Sequence, residues 1–339
     1  MKKDIILVIG SCGQIGTELT AGLREKYGTL NVIGADKFTD LTDDGPYHQL
    51  DVLNMGALAD LVRREKVTQI YLLAAMLSAS GERNIHAAWQ LNMDGLLNVL
   101  KVAAAQRLDK VFWPSSIAVF GPSSAKHLCP QEPQSEPNTV YGISKRAGEY
   151  WCKYYFEKHN VDVRSIRFPG LISYATKPGG GTTDYAVHIF HEALEKGQYD
   201  CFLKEDASLP MMYMKDAVRA TLQLMDAPKE KLRIRTSYNL SATNFAPCDL
   251  SAEIKKHLPD FTISYNPDYR QAIAEAWPAS INDLYARQDW NWEPQFSMQM
   301  IVTDMLLNLK KKKEKIKEPQ LVHDFPDFPE SNSLTTMYY

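Results

Sequence analysis

The chain has 339 residues, of which 45% are hydrophobic and 23% charged, and 38 Lys+Arg set against 41 Asp+Glu give a formal net charge of -3. That length predicts two domains, or one large α/β domain with an elaborated end, and the composition excludes a chain disordered as a whole. The near-neutral balance excludes a broad basic face for nucleic acid, and no apolar run approaches the roughly 20 residues that cross a bilayer.

The elements read as follows in chain order. Met1-Lys2-Lys3-Asp4 leads straight into an apolar strand pattern with no secretory or transit signature, so a cytoplasmic protein is expected. Residues 5–9 are a continuous apolar run, which fits a strand buried on both faces. A glycine-rich turn follows, then a helix over 17–26, a short strand over 32–35 ending at Asp36, and a helix over 58–64. A strand over 70–73, a long helix over 85–105, a strand over 111–113, a helix over 141–159 and a strand over 161–168 complete the alternation. Such alternation implies βαβ units. The fold class expected is α/β, a Rossmann-type doubly wound parallel sheet, with a smaller C-terminal α/β substrate lobe.

Past Phe168 the regularity weakens. Lys177-Pro178-Gly179-Gly180-Gly181 is a loop by composition, residues 183–196 read as helix, and 200–203 and 261–265 as short strands. The domain expectation is a dinucleotide-binding domain over 1–172 to which 211–245 returns, a lobe over 173–310, and a tail over 311–339. Lys310-Lys311-Lys312-Lys313-Glu314-Lys315 reads as the solvated end of the last helix. Asp324-Phe325-Pro326-Asp327-Phe328-Pro329, in the tail, is a candidate for surface packing through its phenylalanines. The five cysteines show no CxxC spacing and the eight histidines no HExxH or HxxxH pair, so neither a disulfide framework nor a metal site is expected.

Gly10, Gly13 and Gly16 lie between a buried strand and a helix, the context in which a glycine motif is informative. The first permits the tight turn, the second a close approach to a pyrophosphate, and the third close packing of helix on strand. Asp36 lies 20 residues past Gly16, where a carboxylate accepts hydrogen bonds from ribose hydroxyls and repels a 2′-phosphate. NAD is favoured over NADP, and the neighbouring Lys37 weakens that exclusion. Tyr141 and Lys145 are four apart on a helix and share a face, which sets Lys145 to lower the pKa of Tyr141. Ser116 ends a strand and is a candidate to hydrogen-bond the reacting oxygen.

These residues resemble the extended short-chain dehydrogenase/reductase superfamily, and Asp51-Val52, Leu73-Ala74-Ala75, Asn92 and Arg167-Phe168-Pro169-Gly170 match it in the same order. The resemblance spans roughly residues 5–305. It narrows to the short-chain-type L-threonine 3-dehydrogenases at residues 169–174 and 179–187, at Met211-Met212-Tyr213-Met214, and at Trp277-Pro278-Ala279-Ser280-Ile281. The resemblance implies NAD-dependent oxidation of the threonine β-hydroxyl to 2-amino-3-oxobutanoate. It implies Tyr141 as general base, Lys145 tuning it and holding the nicotinamide ribose, and Ser116 orienting the hydroxyl. It implies Ser78, Thr182 or Thr183, and Trp277 at the amino acid. Gly10, Gly13, Gln14, Ile15, Gly16, Asp36, Lys37, Asp51, Val52, Leu73, Ala74, Ala75, Asn92 and Leu171 would lie along the cofactor. The helices over 85–105 and 141–159 resemble those that pair in dimers of the superfamily, so a homodimer is expected. The product would suit a CoA-dependent ligase.

Relatives acting on nucleotide sugars typically place an arginine just before the strand leading to the aspartate matched by Asp216; residues 207–214 contain none. An apolar stretch there binds a diphosphate poorly, and the methionines themselves read as core. A nucleotide-sugar epimerase or dehydratase on the same fold is the first rival, and a non-catalytic NAD sensor the second. The presence of both Tyr141 and Lys145 speaks against the sensor.

Overall fold

The structure, a computed structural model, describes residues 4–38, 45–176 and 179–317. In chain order the first elements are β1 (Ile6–Ile9), α1 (Gln14–Tyr27), β2 (Val32–Asp36), β3 (Tyr47–Gln49), α2 (Met55–Arg64) and β4 (Gln69–Leu72). Then come α3 (Ser78–Gly81), α4 (Ile85–Trp89), α5 (Gly95–Gln106), β5 (Lys110–Ser116), α6 (Val140–His159), β6 (Val163–Phe168), β7 (Gly170–Ile172) and α7 (Tyr185–Lys196). The remainder is β8 (Gln198–Cys201), β9 (Leu209–Tyr213), α8 (Met214–Asp226), β10 (Tyr238–Asn239), β11 (Thr243–Phe245) and α9 (Pro247–Lys255). It closes with β12 (Thr262–Tyr265), α10 (Tyr269–Glu275), α11 (Leu284–Trp290) and α12 (Met298–Lys317).

Seven strands pair in the order β10-β6-β5-β4-β1-β2-β3, all parallel. The sheet is the Rossmann-type doubly wound arrangement expected. Its inner strands are buried along most of their length because both faces are covered, whereas the edge strand β3 is partly exposed. Leu7, Ile9, Ile70 and Val111 pack with Leu58, Leu96, Val99 and Cys152 of α2, α5 and α6. On the other face Ile6, Val8, Tyr71 and Phe112 pack with Leu19, Leu23, Ala217, Leu224 and Trp292. Chain order reverses between β1 and β4, which opens a crevice at the carboxyl ends of the strands.

The lobe has its own core, in which Tyr185, Phe190, Phe202, Leu250, Val302 and Leu306 meet. Its strands are short and start or end away from the expected places. β8 spans 198–201 where 200–203 is expected, and it pairs in parallel with β12. Of the returning stretch 211–245, α8 packs on α1 and β10 joins the central sheet. By contrast, β9 pairs with β11 on one side and β7 on the other in a separate three-stranded sheet. Met211, Met212 and Met214 are fully buried and belong to the two cores.

The long helix over 85–105 departs from its expected regularity: a single π turn spans Gln90–Asp94 between α4 and α5. The extra residue turns Asn92 inward, where its Oδ1 accepts from Met76 N at 2.8 Å and its Nδ2 donates to Met76 O at 3.1 Å and Ser144 Oγ at 3.2 Å. The lysine run is the exposed end of α12 as expected, and Lys312 Nζ in addition donates to the carbonyls of Tyr174 at 2.9 Å and Ala175 at 2.6 Å. Lys177, Pro178 and the tail segment 319–339, with Asp324–Pro329, lie outside the described residues. Among the described residues no helix is long and apolar enough to cross a membrane.

Asp216 joins the last helix to the sheet. It is fully buried on the first turn of α8, accepts from Gln295 N at 3.0 Å and Phe296 N at 3.1 Å, and pairs with Arg219 at 2.7 Å. Asp216→Ala strands two backbone donors and a guanidinium, and should lower stability by about 3 kcal/mol. Urea unfolding measures this, and a loss below about 1 kcal/mol would show that the carboxylate does not anchor the 295–296 segment.

Candidate active site

The glycine turn is built by close backbone approach. Gly10 has φ +89°, and a Cβ there would lie 2.6 Å from Ala74 N. A Cβ on Gly16 would lie 2.1 Å from Gly10 O, so helix α1 seats against the strand end only if that position is glycine. Gly10 N and Ser11 N both donate to Ala35 O, at 2.8 and 3.2 Å, which ties the turn to the end of β2. Asp36 follows at that end. Its Oδ2 accepts from Cys12 N at 3.2 Å and its Oδ1 from Lys37 N at 2.8 Å, so the carboxylate is oriented by backbone.

Gly10, Gly13, Asp36, Lys37, Asp51, Val52, Leu73, Ala74 and Ala75 line one cavity, with Phe38, Leu50 and Leu91 as apolar walls. Within the turn, Ser11 Oγ and Gln14 Nε2 are buried without a partner among the described residues. A helix N-terminus, close-packed glycines, spare buried polar atoms and an oriented carboxylate form a donor and acceptor set that fits a dinucleotide. Asn92 lines neither this cavity nor the next; its amide is used on Met76 and Ser144.

A second cavity continues from the first over the ends of β4 and β5. Gln14, Ile15, Ser78, Ser116, Tyr141, Lys145, Leu171, Thr182, Thr183 and Trp277 line it, so these residues, distant in sequence, converge on one space. Ser116 hydrogen-bonds the Tyr141 hydroxyl. Burial pushes Tyr141 up to about 12, and the Ser116 hydrogen bond opposes this. The expected direct lowering by Lys145 is not the contact formed: Lys145 Nζ donates to Pro114 O at 2.6 Å and sits 5.5 Å from the centre of the Tyr141 ring. Burial pushes Lys145 down to about 7, opposed by Cys152 and Glu149. Both groups are thus shifted mainly by burial, Tyr141 upward and Lys145 downward.

Across the cavity, Ser78 Oγ and Thr182 Oγ1 are 3.3 Å apart and both residues are buried, while Thr183 packs against Gly170. Trp277 closes one side, with its carbonyl 3.3 Å from Lys126 Nζ. Sequence reasoning missed Asp184, the one carboxylate among the lining residues. Its Oδ2 accepts from Gly180 N at 2.8 Å and Gly181 N at 2.7 Å, folding the glycine stretch back over the cavity. Burial raises Asp184 above the usual carboxylate range, and the two glycine amides oppose this. An aspartate between a glycine run and a helical pattern is a cap signal that was available in the sequence. No arginine is among the residues lining either cavity.

A model of the NAD dependent epimerase/dehydratase family matches residues 6–241. The bovine (Bos taurus) protein named L-threonine 3-dehydrogenase, mitochondrial, is 43% identical over 305 residues, covering 89% of this chain and 81% of the relative. The GalE-like L-threonine dehydrogenase from Cupriavidus necator, in its holo form, is 54% identical with a TM-score of 0.89, covering 90% of this chain and 99% of that one. A monomeric L-threonine 3-dehydrogenase from a metagenome database is 47% identical with a TM-score of 0.89, covering 91% and 99%.

The position of Asp36 can be tested by cofactor preference. Asp36→Ala should weaken NADH binding by about 2 kcal/mol, the loss of charge-assisted hydrogen bonds. NADPH binding should improve relative to NADH as a repelling carboxylate is removed. Fluorescence titration with both nucleotides reads the ratio, and an unchanged ratio would separate Asp36 from the ribose.

Proposed function

The chain belongs to the NAD dependent epimerase/dehydratase family, and on that premise we propose that it oxidises the β-hydroxyl of L-threonine to 2-amino-3-oxobutanoate. The observation that carries this reading is the second cavity. The tyrosine, lysine and serine share it with the Ser78–Thr182 hydroxyl pair and Asp184, and no arginine lines it. That set suits a small zwitterion and offers a diphosphate no arginine.

NAD, when bound, accepts the hydride from the β-carbon. Tyr141 takes the hydroxyl proton, and Ser116 orients that hydroxyl. Lys145 supplies the positive charge that favours the Tyr141 phenolate and meets the ribose hydroxyls. Ser78 and Thr182 or Thr183 donate to the substrate carboxylate, Asp184 accepts from the ammonium, and Trp277 excludes water from the remaining side. The glycine turn and Asp36 hold the cofactor, with Asp51 and Val52 at the adenine edge. The β-keto acid product would be consumed by a CoA-dependent ligase, as the start of threonine breakdown toward glycine, in the cytoplasm.

We also propose a homodimer. Ile85 and Trp89 of α4 and Ile143, Tyr150 and Tyr154 of α6 are exposed on neighbouring helices, an apolar stripe that a second copy would cover.

The decisive assay is threonine-dependent NAD reduction, with serine and UDP-sugars as controls. NADH should accumulate in proportion to threonine consumed, and the rate should rise with pH as Tyr141 loses its proton. Turnover of a UDP-sugar without added NAD, with none of threonine, would overturn the reading. Tyr141→Phe should keep NADH binding and lose at least about 100-fold in turnover; unchanged turnover would remove Tyr141 as the base.

Light scattering should return twice the mass of one chain. Tyr154→Glu should return a single chain with its fold intact, whereas a monomeric parent protein would overturn the dimer.

A further inference from the structure

Beneath the second cavity lies a charged cluster that the proposed chemistry does not use. Glu149, four residues after Lys145 on α6, has no exposure, and neither has Arg167 of β6. Arg167 grips Glu149 with two parallel bonds, Nε to Oε1 and Nη2 to Oε2, both 2.8 Å. Arg146 Nη1 adds a third at 2.9 Å, and Ser115 Oγ, on the strand end, a fourth at 2.7 Å. Arg167 Nη1 also donates to Gln131 O and Asn239 Oδ1, so the cluster is closed on every side.

Ser115 stands between Pro114, whose carbonyl receives Lys145, and Ser116, which bonds Tyr141. We propose that Glu149 is the positioning residue of this site: through Ser115 it fixes the end of β5 against Lys145, and it supplies the buried counter-charge for the Lys145 ammonium. The titratable groups around Lys145 are Tyr141, Glu149 and Cys152 on its own helix, with Arg146 and Arg167 bound to Glu149. Of these, Cys152 and Glu149 favour the ammonium, and the guanidiniums of Arg146 and Arg167 are held on the Glu149 carboxylate. Arg167 is then more than a structural partner: its charge sets how much of the Glu149 field reaches Lys145.

The inference rests on the proposed roles of Tyr141 and Lys145, and its test needs no turnover. Lys145 is the one buried lysine among the described residues, so its signal in full-length protein carrying 13Cε-lysine is identified by its loss in Lys145→Met. Its NMR titration should centre near 7 in the parent protein. In Glu149→Gln the midpoint should fall by about one pH unit or more, a tenfold weaker hold on the proton. In Glu149→Gln/Arg167→Met, which removes both buried charges, it should fall by less, and in Glu149→Asp it should stay near the parent value. If Glu149→Gln unfolds, as a broken buried pair can, the double and Asp variants carry the comparison. A midpoint unmoved or raised on removing the carboxylate overturns the proposal. A midpoint that falls as described, in a protein that does not oxidise threonine, keeps this proposal and removes only the substrate reading.

Discussion

A carboxylate taken wholly out of water holds the reactive end of the sheet together. Glu149 lies on α6, Arg167 on β6 and Ser115 on β5, and the three meet through bonds of 2.7–2.8 Å. Moving such charges into the interior costs several kcal/mol each, which is recovered only when every lone pair finds a donor. Here every one does, so the helix and the two strands are locked in one register. Lys145 and Ser116 inherit that register because they sit about one turn of helix, or one residue of strand, from the cluster, and Tyr141 follows one turn before Lys145 on the same helix. The placement of the candidate proton-handling groups is thus a by-product of satisfying a buried ion pair.

The other half of the crevice is held by close contact without charge. Gly10 and Gly16 let β1, β4 and α1 approach at distances that any Cβ would forbid. The topological reversal between β1 and β4 then leaves an opening that no side chain fills. Apolar walls from Leu50, Leu73 and Leu91 and the backbone-oriented carboxylates of Asp36 and Asp51 complete it. A rigid polar anchor on one side and a glycine hinge of backbone on the other make a crevice whose two ends recognise different chemistry.

The parts of this design that are local or periodic were legible in the sequence. β1 is a run of four buried residues, and α6 carries Tyr141 and Lys145 one turn apart. The glycine turn, Asp36, Ser116, Tyr141 and Lys145 were singled out because each sits at a strand end or on a helix face, whereas Ser78, Thr182, Thr183 and Trp277 came only from the family resemblance and Asp184 was missed. What escaped depends on partners far away in the chain. Nothing near Glu149 announces Arg167, 18 residues on in a different element. Asn92 faces inward only because one π turn interrupts a helix whose sequence is otherwise regular. β7, β9 and β11 have three to five residues each, too few to establish a period, and exist because they pair with one another. Lys312 reads as one more solvated cation until the Tyr174 and Ala175 carbonyls are seen beside it.

The distribution of charge decides between the two kinds of substrate that this fold can take. A nucleotide sugar brings a diphosphate into the outer cavity, and its two negative charges require fixed cations. A zwitterion brings one charge of each sign, and these cancel beyond a few ångströms. It therefore needs one acceptor and a few hydroxyl donors within contact distance and no long-range field. The second cavity has that character: Asp184, Ser78, Thr182, Thr183 and Trp277 all line it. Of the cations of the region, Arg146 and Arg167 are bound to Glu149 and do not line the cavity, whereas Lys145 does. The positive charge of Arg146 and Arg167 stabilises the scaffold and is withheld from the ligand, so a small neutral-overall molecule fits where a diphosphate would meet no arginine.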